Sequence, residues 1–142
     1  MSAHDAAAVL KGVGKAVEKI ASMLHQVFGK TAAETAEILK GLGYTAKTVA
    51  QMMMQVFSRT AAQTAEILKG LGYAATTIAS EIKSWYGTNA QAMAQILKEL
   101  GYGIVTIYNV MIDVFGMAHT AILTLLQNIG FLWSDIVAAL GL

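Results

Sequence analysis

The residues of this sequence whose types could do chemistry are three histidines, a run of three methionines, a row of lysines and a ladder of aromatic rings. His4, His25 and His119 are the first candidates for a general base or a nitrogen ligand. A metal site on helices wants ligands at H-x-x-x-H or E-x-x-H spacing, so that both project from one face. None of the three histidines has such a neighbour. A nucleophilic triad wants a base beside serine or cysteine and a carboxylate orienting the base. There is no cysteine, and no such constellation with serine. The histidines are therefore expected at the surface. Neither enzymatic activity nor a metal or other cofactor is expected.

Met52, Met53 and Met54 invite a soft-metal reading. Consecutive helical residues point about 100° apart, so three adjacent sulfurs cannot converge on one ion. Met53 is expected in the core, with Met52 and Met54 pointing outward or against a neighbour as adaptable contact surface. Lys11, Lys40, Lys69 and Lys98 recur at one constant spacing, and Glu37 and Glu66 stand one helical turn before two of them. Such a row could hold an acidic partner. The reading adopted is a solvated ridge with lysine–glutamate pairs one turn apart. Tyr44, Tyr73, Tyr102 and Phe131 share the same spacing. They are expected to form an aromatic packing spine before any sugar- or base-stacking role.

These side chains share one period, and the period defines the elements that carry them. The segments "VLKGVGK" (9–15), "ILKGLGY" (38–44), "ILKGLGY" (67–73), "ILKELGY" (96–102) and "LLQNIGF" (125–131) follow one another without a break in phase. A fixed period of this length marks a stacked repeat array. Thr31 with Glu34 reads as a capping box at a helix start, Thr60 with Gln63 repeats it, Ser2 with Asp5 is a weaker version, and Asn89 keeps the cap position. Thr35, Ile38, Leu39 and Leu42 then follow helical spacing. Gly14, Gly43, Gly72, Gly101 and Gly130 are read as structural helix stops. A second helix follows each stop, with Ala46, Val49, Ala50, Met53, Val56 and Phe57 on one face. The corresponding face recurs as Ala75, Ile78, Ala79, Ile82, Trp85, Tyr86, and as Ile104, Ile107, Tyr108, Met111, Val114, Phe115. Gly29, Gly87 and Gly116 close those second helices, and Ser58 departs from the rule.

The fold expected is all-α: an α-solenoid of five two-helix repeats, because one hairpin cannot bury its apolar stripe alone. The boundaries are 2–30, 31–59, 60–88, 89–117 and 118–142, forming a single helical-repeat domain over 1–142 with no further domain expected. The absence of proline suits a chain that is nearly all helix. A net charge of only +1 argues against a nucleic-acid partner, which needs a basic face. No signal peptide is visible, and no apolar run is long enough to span a membrane. Secreted and cytoplasmic locations both stay open.

The pattern "TAAxTAEILKGLGYxAxTVA…VFG" resembles tandem helix-hairpin repeats of bacterial and fungal, often secreted, proteins, and the resemblance covers the whole chain. It implies the helical-repeat architecture and tilts the role toward an extracellular or toxin-like one. It carries over no functional residues.

The residues are 56% hydrophobic and only 13% charged, against about 25% charged in ordinary domains. Something beyond a single chain's core is expected to absorb that apolar surface. The asymmetry says where. All ten Lys and Arg lie before residue 100, whereas residues 101–142 hold only Asp113 and Asp135. In the fourth second-helix, Val105, Val110 and Ile112 are placed on the side opposite the core stripe. Leu123 stands where other copies have alanine, and Leu132 follows in "FLWSDIVAALGL". Solenoid ends normally carry a polar cap, and an exposed apolar patch marks a contact. The expected function is a non-enzymatic structural and interaction protein that self-associates through Val105, Val110, Ile112, Leu123 and Leu132 into an oligomer or filament. The alternative is a membrane-active, pore-forming protein meeting lipid through the same surface. A weaker reading is a carrier for an apolar small molecule between hairpins.

Overall fold

The computed structural model describes residues Met1–Leu142. Its helices begin and end for local reasons. Thr31 Oγ1 accepts the Glu34 amide N–H at 3.1 Å, and Glu34 Oε1 accepts the Thr31 amide at 3.0 Å. That reciprocal box satisfies two amides that a helix start leaves free. The hydrogen bond from the Thr31 backbone holds the Glu34 carboxyl below its ordinary range. Thr60 and Gln63 repeat the box without a titratable group. Ser2, Thr45 and Asn89 cap three more helices.

The stops are equally local. At Gly43 the backbone turns left-handed, with φ +93°. The Tyr44 amide then donates to the Leu39 carbonyl at 3.1 Å and the Gly43 amide to the Lys40 carbonyl at 2.9 Å. This closure repeats at Gly14, Gly72, Gly101 and Gly130, all at positive φ. Ser58 takes the same left-handed conformation as the glycines that close other second helices, with φ +52°. Its hairpin keeps the closing bond, Arg59 N–H to the Met53 carbonyl at 3.0 Å. The stop therefore survives a residue that costs it backbone strain.

Ten helices result: α1 (Ala3–Gly12), α2 (Val17–Gln26), α3 (Ala32–Gly41), α4 (Ala46–Gln55), α5 (Ala61–Gly70), α6 (Ala75–Tyr86), α7 (Ala90–Glu99), α8 (Ile104–Asp113), α9 (His119–Asn128) and α10 (Trp133–Leu140). They form two compact units, Met1–Tyr73 and Ala74–Leu142, divided within the third repeat between its two helices. In the first unit each helix packs on the next, and α2 also packs on α4. In the second unit neighbours again pack in order, joined by α6 on α8, α8 on α10 and α7 on α9. Each unit thus stacks the second helices of successive repeats. This is the all-α, solenoid-type packing of two-helix repeats.

The core follows the stripes. Leu39, Val49, Ala50, Met53, Ile78, Ile82, Ile107 and Met111 are all fully buried. Met52 is as buried as Met53, while Met54 is half-buried. Ala7, Ala36, Ala65 and Ala94 hold one fully buried position in four repeats. Leu123, at the same position in the fifth, is half-buried.

Candidate interaction surfaces

Lys11, Lys40 and Lys98 reach into the next repeat rather than pairing with a glutamate on their own helix. Lys11 Nζ donates to the Leu42 carbonyl and Lys40 Nζ to the Leu71 carbonyl. Lys98 Nζ donates to the Ile129 carbonyl at 2.7 Å. Each acceptor is the residue that caps the C-terminus of the next repeat's first helix. Such carbonyls lack a helical partner and carry the negative end of the helix dipole. The same ammonium groups lie over the aromatic spine, 4.8 Å from the Tyr44 ring centroid, 5.0 Å from Tyr73 and 5.1 Å from Phe131. A ring face attracts a cation. The lysine therefore finds two partners in the next repeat, whereas a surface glutamate one turn back offers only a weak, screened pair.

The spine rings are half-buried, and burial pushes the phenols of Tyr44, Tyr73 and Tyr102 above their ordinary range. They stay neutral and serve as ring faces and packing surface. A second helix uses the same device: Lys83 Nζ donates to the Val114 carbonyl at 3.0 Å and sits 4.9 Å from the Phe115 centroid. The signal for the first-helix latches is present in the sequence, since Lys11, Lys40 and Lys98 recur together with the aromatic that follows the next repeat's stop. Spacing alone presents them as two separate ladders.

The histidines lie in three separate settings. His25 holds the position equivalent to Lys83 and meets the Phe57 ring edge-on, with centroids 5.0 Å apart. Its Nδ1 is 3.0 Å from the Lys30 carbonyl oxygen. His119 Nδ1 is 2.8 Å from the Tyr108 hydroxyl. His4 is exposed and lies beside Gly41, within 3.7 Å of where a β-carbon there would stand. No group of three or more His, Asp or Glu is placed to hold a metal ion. In the second unit a groove of about 820 Å³ runs between α7 and α9. Asn89, Gln91, Gln95, Thr124 and Asn128 line it together with Met117, Leu125, Ile129 and three alanines, and no aromatic ring does.

The C-terminal contact residues divide. Val105 is 49% exposed, Ile112 41% and Leu132 66%, and Trp133 joins them at 48%. Val105 and Ile112 stand two turns apart along one face of α8. Val110 does not belong with them: it is 1% exposed. It follows Ile107 by one turn, which places it beside the core stripe. α8 also packs on four helices of its unit, α6, α7, α9 and α10, which widens its buried arc. No helix is long and apolar enough to cross a membrane.

A second exposed apolar set, which the sequence pattern does not single out, lies at the other end of the chain. Val9, Val13 and Val27 are exposed, and so is Met1. No large hydrophobic residue between Val27 and Val105 is exposed.

No protein-family model matches this chain, and no curated protein or solved structure shows significant similarity to it.

Proposed function

We propose that the chain is a non-enzymatic helical-repeat scaffold that self-associates through the exposed apolar residues of its C-terminal repeats. The observation that carries this reading is the exposure of Val105, Ile112, Leu132 and Trp133 in a stretch with no lysine or arginine. Each large apolar side chain removed from water contributes about 1.5–3 kcal/mol. A contact that covers several of them offsets the entropy of association.

The test is solution mass by light scattering across a wide concentration range, with and without lipid vesicles. The wild-type chain is expected to assemble. Val105→Lys with Ile112→Lys is expected to remain monomeric with unchanged helix content, because both positions are exposed within the chain and the new charges would be buried without partners in the assembly. A wild-type chain that stays monomeric at high concentration sinks the proposal, as does a double variant that assembles normally. If the wild-type monomer binds vesicles and the variant does not, a membrane-active protein replaces the scaffold.

A further inference from the structure

We propose that the partner of the C-terminal surface is the first repeat of a second copy, so that chains associate head to tail. This rests on the self-association reading above and names the surface that receives it.

The first argument is register. Val9, Val13 and Val27 are 52%, 67% and 72% exposed. Their counterparts one repeat on, Ile38, Leu42 and Val56, are half-buried. In the last two repeats the counterparts are half-buried at Ile96, Leu100 and Val114 and buried at Leu125 and Ile129. The first repeat thus presents bare the surface that later repeats cover.

The second argument is what does the covering. Within the first unit, the second repeat is met by Lys11 on the Leu42 carbonyl and by His25 on the Phe57 ring. Within the second, Lys83 meets Val114 and Phe115, and Lys98 meets Ile129 and Phe131. In the fifth repeat the position equivalent to Lys11, Lys40 and Lys98 is Gln127, and that equivalent to His25 and Lys83 is Gly141. Both are exposed. Gln127 keeps a donor suited to a helix-end carbonyl such as that of Val13. The fifth repeat therefore keeps one of the two reaching side chains of the junctions built within each unit, and the first repeat displays the surface that receives it.

The third argument is charge. Residues 2–30 carry four lysines against Asp5 and Glu18, whereas residues 101–142 carry two acids and no base. At the first repeat the aromatic of the spine is itself replaced by Lys15. A symmetric contact between two C-terminal surfaces brings acids to acids. A head-to-tail contact brings the basic repeat to the acidic one, and complementary potentials select partners and orientation. Contacts of this heterologous kind produce a ring or a filament according to whether the rotation closes.

The experiment uses the full chain and two surface variants, each blocked on one face: Val13→Glu with Val27→Glu, and Val105→Lys with Ile112→Lys. Helix content is checked by circular dichroism, and the single changes Val27→Glu and Ile112→Lys replace a double variant that misfolds. Each blocked variant alone is expected to be monomeric by light scattering. Their equimolar mixture is expected to double in mass and stop there, because one intact face of each kind remains. If the wild-type assembles and the Val13/Val27 variant still assembles by itself, head-to-tail docking is overturned while self-association stands. A mixture that stays monomeric overturns it as well. A wild-type monomer, or assembly of the Val105/Ile112 variant alone, overturns both readings together.

Discussion

The units Met1–Tyr73 and Ala74–Leu142 are built on one repeat but stabilised differently. The first carries eight basic and five acidic residues, the second two basic and four acidic. In the first, four of five helices start on a side-chain cap: Ser2, Thr31, Thr45 and Thr60. In the second only Asn89 does so, and α6, α8, α9 and α10 begin at Ala74, Gly103, Ala118 and Leu132 without one. The buried positions compensate. Where the first unit has Thr35 and Thr64, the second has Met93 and Ile122, and the Thr35 hydroxyl is buried without a hydrogen-bond partner. One backbone plan therefore tolerates two solutions, local capping in one half and apolar packing in the other. The surface is then free to specialise.

The sharpest way to break this comparison is to charge the packing of the second unit. Val110→Lys buries an unpaired ammonium and should cost about 3–5 kcal/mol, whereas Val105→Lys should stay within about 0.5 kcal/mol. Urea unfolding at low protein concentration measures both, and equal costs would contradict the burial of Val110. Next come the glycine stops. Gly130→Ala forces a side chain into a left-handed position and within 2.9 Å of Lys98 Nζ, whereas Gly14→Ala meets nothing within 4 Å. Both should lose about 1–2 kcal/mol to backbone strain, with Gly130 the costlier, and thermal midpoints should rank them so.

Capping provides a two-way test of smaller size. Thr31→Ala should cost the first unit about 1 kcal/mol, and Ala118→Ser should stabilise the second by a few tenths to about 1 kcal/mol by giving α9 the cap that it lacks. Hydrogen exchange of the first-turn amides would show whether the effect stays at the altered helix. The smallest effect expected is at the latches. Lys40→Met should cost about 0.5–1 kcal/mol. Lys98→Met should cost more, because its bond to Ile129 is partly buried and that of Lys40 is exposed. Denaturation of the two variants side by side would decide the order.

What is legible in the sequence is local. The caps at Thr31 and Thr60, the stop at Gly43 and the stripe through Val49, Ala50 and Met53 depend on residues within a few turns of one another, and spacing alone places them. The lysine latches are not legible in the same way. Lys40 and Leu71 are 31 residues apart, and only folding brings a helix-end carbonyl to the ammonium; in the sequence Glu37, one turn away, looks the nearer partner. Val110 escapes a reading by spacing for a related reason. Its distance from Ile107 permits burial, but the width of the buried arc depends on how many helices surround α8. Ser58 shows a third limit, since the residue type points away from a left-handed stop that its neighbours impose. The exposed valines of the first repeat are hidden because their spacing matches that of covered residues elsewhere.

The latch has a consequence for the history of such a chain. Lys11 reaches a carbonyl in the following repeat, two positions beyond its own equivalent there. Excision of residues 31–59 would set Lys11 at that same separation from the present Leu71 and from the Tyr73 ring beyond it. Duplication of those residues would likewise deliver each lysine a fresh carbonyl and ring in register. The segment "ILKGLGY" is identical in two neighbouring repeats. Chain length in this protein can therefore change in whole repeats, with every junction re-formed, while any other change in length would leave a lysine facing the wrong turn.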